Sequence, residues 1–174
     1  MSMLNVTLPD GTVKEVSAGT TPLDVARSIG EGLARQTVAA YLGDELVDAS
    51  RPIESDARLR LVTLNSPEGL EIYRHSTAHL MAHAVKELFG REVQVTIGPA
   101  IESGFYYDFF SDSHTFSPEE FDKIEQKMAE LAKADLPIER QVVSSAEAIE
   151  LFRQMGEEYK VELIEDLGEE QVSL

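Results

Sequence analysis

Ile72-Tyr73-Arg74-His75-Ser76-Thr77-Ala78-His79-Leu80-Met81-Ala82-His83-Ala84-Val85-Lys86-Glu87-Leu88-Phe89, closed by Gly90, has the period and the stop signal of a helix. At about 100° per residue, Ala78, Met81, Val85, Leu88 and Phe89 fall on one apolar stripe, and His75, His79 and His83 climb along its edge. The edge of a buried stripe is where a cleft wall forms. Imidazoles four residues apart stand one turn apart and can converge on one ion, one water or one substrate oxygen. The same spacing also suits a partly buried helix whose histidines are satisfied by carbonyl groups, and the pattern alone leaves both readings open. His83, a further turn away, takes the structural reading. His114, beside Asp112 and Ser113 in a turn, reads as a surface residue.

Upstream of this helix, Asn65-Ser66-Pro67-Glu68-Gly69 reads as a turn-rich connector between residues 1–64 and 70–174. Met3-Leu4-Asn5-Val6-Thr7-Leu8-Pro9 alternates as a strand, Asp10-Gly11 is a hairpin signal, and Thr12-Val13-Lys14-Glu15-Val16 returns as the second strand. Thr20-Thr21-Pro22-Leu23-Asp24 opens a short helix that Gly30 stops. Strands follow at Thr37 to Leu42 and Arg58 to Leu64, with Glu45-Leu46-Val47 as a further short piece. This order within the first 64 residues is that of a β-grasp, ubiquitin-like domain.

Downstream, Glu92-Val93-Gln94-Val95-Thr96-Ile97 is strand-like and Gly98-Pro99 interrupts it. Gly104-Phe105-Tyr106-Tyr107-Asp108-Phe109-Phe110 reads as a second strand, whose aromatics are equally compatible with plain core. Ser117-Pro118-Glu119-Glu120 starts a helix reaching Lys133, with Phe121, Ile124, Met128 and Leu131 as its buried stripe. Pro137 opens a strand from Ile138 to Val143, and Ser144-Ser145 caps a helix from Ala146 to Met155 that Gly156 ends. Tyr159-Lys160-Val161-Glu162-Leu163-Ile164 fits strand and helix alike. The fold class is therefore α+β throughout.

With 43% hydrophobic residues, 174 residues can build one ordinary core or two small ones. No apolar run approaches the length of a membrane span, and Asn5, Thr7, Asp10 and Gly11 break any leader-like run at the start, so the expectation is a cytoplasmic protein with no membrane contact. Zero cysteines exclude disulfides, thiolate metal sites and a cysteine nucleophile within this sequence. The net charge of -17 is uneven, with 17 acidic against 6 basic residues from 111 to 174. Phosphate binding depends on Lys and Arg displacing counterions, so the chain by itself is expected to be a poor nucleic-acid binder.

Residues 1–64 resemble the TGS domain. Together with Arg74-His75-Ser76-Thr77-Ala78-His79-Leu80, with Ile97-Gly98-Pro99-Ala100-Ile101-Glu102-Ser103-Gly104-Phe105-Tyr106-Tyr107-Asp108 and with Tyr159-Lys160-Val161, the chain resembles the bacterial threonyl-tRNA synthetase family along its whole length. The resemblance implies a TGS domain followed by an editing domain that hydrolyses mischarged seryl-tRNA(Thr), of a fold shared with alanyl-tRNA synthetase. It places His75 and His79 at the family's editing histidines, Lys160 at its editing lysine, and Tyr106 and Gly104 in the pocket lining. It also implies an Asp-x-Cys-Arg-Gly-Pro-His segment further downstream, absent from these residues, so the chain reads as an N-terminal fragment. The expected partner is the acceptor end of tRNA(Thr) in the context of the whole synthetase, itself expected to be a homodimer through other domains. No cofactor and no obligatory metal are expected here; ATP, magnesium and zinc belong to the family's catalytic core.

Serine lacks one methyl group of threonine, a difference worth only about 1–3 kcal/mol in a pocket, so a second, hydrolytic site is needed to remove the error. Ester hydrolysis requires a positioned water, a proton acceptor and positive charge near the developing oxyanion. His75 and His79 can orient or deprotonate the water or hold the terminal ribose, and Lys160 can stabilise charge. The competing reading of Lys160 is an exposed lysine paired with Glu157, Glu158 or Glu162. At the level of the chain, the alternative is a noncatalytic interaction or regulatory module, because TGS domains also occur in GTPases and stringent-response proteins.

Overall fold

Asp10-Gly11 makes the turn it signals. Gly11 takes φ +85°, Thr12 N donates to Asp10 Oδ1 at 2.9 Å, and Leu8 N donates to Thr12 O at 2.8 Å. The flanking strands β1 (Met3–Thr7) and β2 (Val13–Ser17) then pair antiparallel with Leu4 opposite Val16. These positions come from a computed structural model that describes residues 2–96 and 98–174. It divides into two compact units, Met1–Arg74 and His75–Leu174.

In the first unit, α1 (Pro22–Ile29) begins with a reciprocal cap: Thr21 Oγ1 accepts from Asp24 N at 3.1 Å, and the Asp24 carboxylate accepts from Thr21 N at 3.1 Å. After Gly30 comes α2 (Glu31–Gln36), a single short helix that no cap or apolar period announced. Strands β3 (Thr37–Leu42), β4 (Glu45–Asp48) and β5 (Ala57–Thr63) complete a sheet of order β2-β1-β5-β3-β4, in which β1 and β5 run parallel. This is the expected β-grasp. Val25 of α1 is buried with Val6, Ala40, Val47, Ile53 and Leu59, and each fully buried aliphatic side chain contributes about 1.5–3 kcal/mol relative to exposure.

The histidine helix, α3 (Pro67–Phe89), starts at Pro67 rather than Ile72, so residues 67–69 of the expected connector are helical. Ser66 explains the difference. Its Oγ accepts from Gly69 N at 3.0 Å and donates to Thr63 O at 3.0 Å, which starts the helix directly against the end of β5. Gly69 is there for closeness and does not break the helix: a Cβ at this position would lie 1.9 Å from Thr63 O.

In the second unit, Ala78, Ala82, Ala84 and Val85 are the buried residues of α3, whereas Leu88, expected on the apolar stripe, is 36% exposed. The two strands expected between 92 and 110 are broken into short pieces. β6 (Gln94–Val95) pairs antiparallel with β9 (Phe109–Phe110), and β7 (Ala100–Ile101) pairs with β8 (Gly104–Phe105). Ile97, the end of the first expected strand, lies outside the described residues. Tyr106, Tyr107 and Asp108 interrupt the second because the chain leaves one ladder to join the other.

A 3-10 turn (Pro118–Glu120) leads into α4 (Phe121–Ala134). Its apolar stripe is only partly covered, with Ile124, Met128 and Leu131 half-buried and Phe121 57% exposed. The strand expected from Ile138 shrinks to β10 (Val142–Ser144), which pairs antiparallel with β11 (Gln171–Ser173), and Ile138 itself is 96% exposed. Among the described residues no strand pairs with residues 138–140, and the ladder begins where Gln141 and Leu174 exchange backbone hydrogen bonds at 2.9 and 2.8 Å. Between β10 and β11 come α5 (Ser145–Met155), capped by Ser144, and α6 (Glu158–Leu167), which resolves the open choice at Tyr159–Ile164 in favour of helix. Among the described residues, no helix is long and apolar enough to cross a membrane.

Candidate active site

The four-residue spacing on α3 brings His75 and His79 together. Their Nε2 atoms lie 3.0 Å apart, with ring centroids at 4.6 Å and planes at 80°. The distance is that of a hydrogen bond, so one ring donates and the other accepts. His83 does not join them; its Nε2 lies 3.3 Å from Glu87 Oε1, one turn along the same helix.

His114 departs from the expected surface role. It is half-buried, stacks on Phe89 with centroids 4.5 Å apart, meets Phe116 edge-on, and places Nε2 3.1 Å from the Glu120 carboxylate. Glu120 also accepts from Ser117 N at 3.0 Å, so this histidine locks the start of α4. Polar neighbours in sequence concealed a stacking partner contributed by α3.

Lys160, in the first turn of α6, is half-buried and donates from Nζ to Thr96 O at 3.2 Å, just beyond β6. Burial pushes its pKa below the ordinary lysine value; Glu157 opposes that shift and the charge of Lys86 adds to it. His79 likewise has a lowered pKa, first because it is partly desolvated, then because of His75 and of Lys160. Lys160 and the histidine pair thus share one electrostatic environment. The arrangement favours the neutral imidazole of His79 and keeps the Lys160 charge near it.

The two residues expected to line the pocket lie in and just after the β7–β8 hairpin. Tyr106 is 52% exposed and, together with Tyr107, lines a mostly apolar cavity of about 640 Å³ walled by Met81, Val85, Ile124 and Met128 among others. Gly104 lies in the β7–β8 hairpin. Its neighbour Tyr107 is the aromatic that reaches the site, with its ring edge-on to His79 at 6.4 Å and stacked on Phe109 at 5.2 Å. Burial, and then the Glu157 carboxylate, push the Tyr107 phenol up. Gly98 makes this possible, because a Cβ there would lie 2.1 Å from the Tyr107 ring. The bare Gly98-Pro99 pair was the sequence's only hint of this contact. A second cavity, of about 510 Å³, opens beside His79 and is lined by Ser76, His83, Leu131 and Ile138 among others.

Residues 4–63 match the TGS domain family. Across all 174 residues the chain is 62% identical to the threonine–tRNA ligase of Syntrophotalea carbinolica and 59% identical to that of Geobacter sp. strain M21, covering 27% of each. Over 172 residues, 99% of the chain, it is 52% identical to the threonine–tRNA ligase of Francisella tularensis subsp. novicida, again covering 27% of that protein. The chain therefore spans about a quarter of the length of the curated relatives it matches. Residues 4–63 are a TGS domain, set in a chain that is similar from end to end to threonine–tRNA ligases.

Proposed function

We propose that this chain provides a threonine–tRNA ligase with its TGS domain, residues 1–64, and with a hydrolytic editing site, built on residues 70–174, that frees serine from mischarged tRNA(Thr). The observation that carries this reading is the hydrogen-bonded His75–His79 pair, in which partial burial and the charges of His75 and Lys160 hold His79 toward its neutral form. A neutral imidazole nitrogen takes the proton of a water as the water oxygen attacks the ester carbonyl carbon. Negative charge then grows on the carbonyl oxygen, where the Lys160 ammonium stabilises it. As that charge returns to re-form the carbonyl, the bond to the ribose oxygen breaks, and the imidazolium gives its proton to the departing oxygen. Free serine and an intact tRNA 3′ end result.

The acceptor end of tRNA is the substrate on this reading, and domains beyond these residues supply most of its binding. ATP, magnesium and zinc belong to the aminoacylation core, outside these 174 residues.

The test is release of radiolabelled serine from preformed seryl-tRNA(Thr) by a full-length ligase carrying this region. His75→Ala, His79→Ala and Lys160→Ala should each slow release, by roughly 10²- to 10⁴-fold for a lost proton acceptor, while threonine activation stays near its original rate. Unchanged serine release in all three variants overturns the assignment.

A further inference from the structure

Glu157 is the most deeply buried acidic residue among those described, at 4% exposure, and it stands where three elements of the second unit meet. It immediately precedes α6, and its carbonyl accepts from Lys160 N at 3.0 Å and Val161 N at 3.2 Å. Its own N–H donates to Phe152 O of α5 at 2.8 Å. The preceding residue, Gly156, turns with φ +75° and offers its carbonyl to Gln94 Nε2 of β6 at 2.7 Å. The Glu157 side chain reaches α3, where Oε1 accepts from Lys86 Nζ, and Lys86 also donates to Arg91 O at 3.2 Å. Glu157 Oε2 is buried and accepts no hydrogen bond among the described residues.

Lys86 is seven residues after His79, two turns along the same side of α3, and Lys160 is one turn after Glu157 on α6. The ion pair between Lys86 and Glu157 therefore ties the start of α6 to the histidine-bearing face of α3. We propose that Glu157 is the positioning residue of the site: clamped by Lys86, its carboxylate fixes the first turn of α6 so that Lys160 points to Thr96 O, within electrostatic reach of His79, and it offsets one of the two lysine charges there. This inference rests on the reading of Lys160 as the cation of a hydrolytic site.

A buried carboxylate with one free oxygen is costly unless positive charge surrounds it, and here Lys86 and Lys160 supply that charge. The groups facing Lys160 are Glu157 from its own element, Lys86 and His79 from α3, and the Thr96 carbonyl after β6. Tyr107 is the further titratable group that feels Glu157. Among the described residues, Glu157 is the carboxylate that raises the Lys160 value, and the charge of Lys86 lowers it.

The experiment follows the Lys160 side-chain titration by NMR in the 174-residue chain, in Glu157→Gln, in Lys86→Met and in the double variant. Glu157→Gln removes the carboxylate that holds Lys160 charged, so Lys160 should titrate lower than in the original chain and lose its contact to Thr96. Lys86→Met removes a like charge, so Lys160 should titrate higher. The double variant, which leaves no unpaired buried charge and so keeps the fold measurable if either single variant unfolds, should fall between the two. The readout that an ion pair acting by charge alone would not give is the loss of the Lys160 Nζ contact to Thr96 O in Glu157→Gln, seen at the Lys160 and Thr96 resonances. An unmoved Lys160 titration in the folded variants overturns the inference. Failure of the hydrolytic reading shows differently: serine release would survive Lys160→Ala while the Lys160 displacements persisted.

Discussion

His75 Nε2 and His79 Nε2 stand 3.0 Å apart with their rings at 80°, so each nitrogen is the other's hydrogen-bond partner. In the neutral pair one ring carries hydrogen on Nε2 and the other on Nδ1. Two imidazolium rings would aim two N–H groups at each other. Partial burial of His79, then His75 and Lys160, disfavour a proton on His79. A base held ready at neutral pH is what water activation needs.

The first prediction concerns that titration. His79 should become charged at a lower pH than an ordinary histidine, whose value is near 6.5. Removing a neighbouring positive charge should move it back, so both His75→Ala and Lys160→Ala should raise the His79 value. Nitrogen-detected NMR of the imidazoles reads this directly. A His79 that titrates normally in the original chain would overturn it.

Stability should follow the same group, with a sign that can be worked out. The folded-state value lies below the unfolded one, so between the two the unfolded chain binds more protons and stability rises with pH. His79's contribution is then complete above about 6.5 and is lost as pH falls toward the lowered value. Chemical denaturation at pH 7.5 and at pH 5.5 should show a larger loss in the original chain than in His79→Gln. Equal losses would mean that His79 feels no net desolvation.

The N-terminal β-grasp was legible in the sequence because its signals are local. Asp10-Gly11, the Thr21-Pro22-Asp24 cap and alternating strands each name their own geometry, and the sheet they form pairs neighbours in the usual way. The histidine pair was legible for the same reason, since helical spacing alone puts His75 against His79. What stayed hidden depends on contacts distant in sequence. Tyr107 was missed because nothing in the sequence places its ring against His79, 28 residues earlier. Glu157 looked like one more acid in an acidic stretch until Lys86, 71 residues earlier, came to meet it. Gly69 looked like a linker glycine because nothing in the sequence places Thr63 O against it.

Gly98 yields a prediction of its own. A methyl group at this position would overlap the Tyr107 ring at Cδ2, Cε2 and Cγ, all within 2.8 Å, so the whole ring must move. Gly98→Ala should destabilise the second unit by about 1–3 kcal/mol, the usual cost of overpacking. It should also loosen Tyr107 from His79 and Phe109, visible as loss of ring-to-ring NMR contacts. Unchanged stability and contacts would mean that the chain around Gly98 gives way easily.

The end of the first unit can be tested by truncation. Residues 1–64 contain the core of Val6, Val25, Ala40, Val47, Ile53 and Leu59, so this piece should fold and give dispersed amide shifts. Residues 65–74 add the Ser66 and Gly69 contacts to Thr63 and the Arg60–Glu68 ion pair. A 1–74 fragment should therefore be more stable than 1–64 by about 1–2 kcal/mol, the worth of one or two net hydrogen bonds. Urea denaturation of the two pieces gives the difference. Equal midpoints would show that the start of α3 contributes nothing to the TGS domain.

The charge balance makes the last prediction. The 174 residues carry 32 acidic against 15 basic side chains, and the lysine nearest the histidine pair already spends its Nζ on a backbone carbonyl. Affinity for a polyanion grows with the number of phosphates neutralised, and each adds roughly 0.7 to 0.9 to the slope of log affinity against log salt. An acidic chain that offers one or two cations at its site should show a slope below about 2 and bind tRNA more weakly than about 1 μM at physiological salt. Discrimination would then come from the site and affinity from the rest of a ligase. Fluorescence anisotropy of labelled tRNA(Thr), titrated at several salt concentrations, measures both quantities. Submicromolar binding with a steep slope would place a strong phosphate-binding surface on this chain and overturn the division of labour proposed for it.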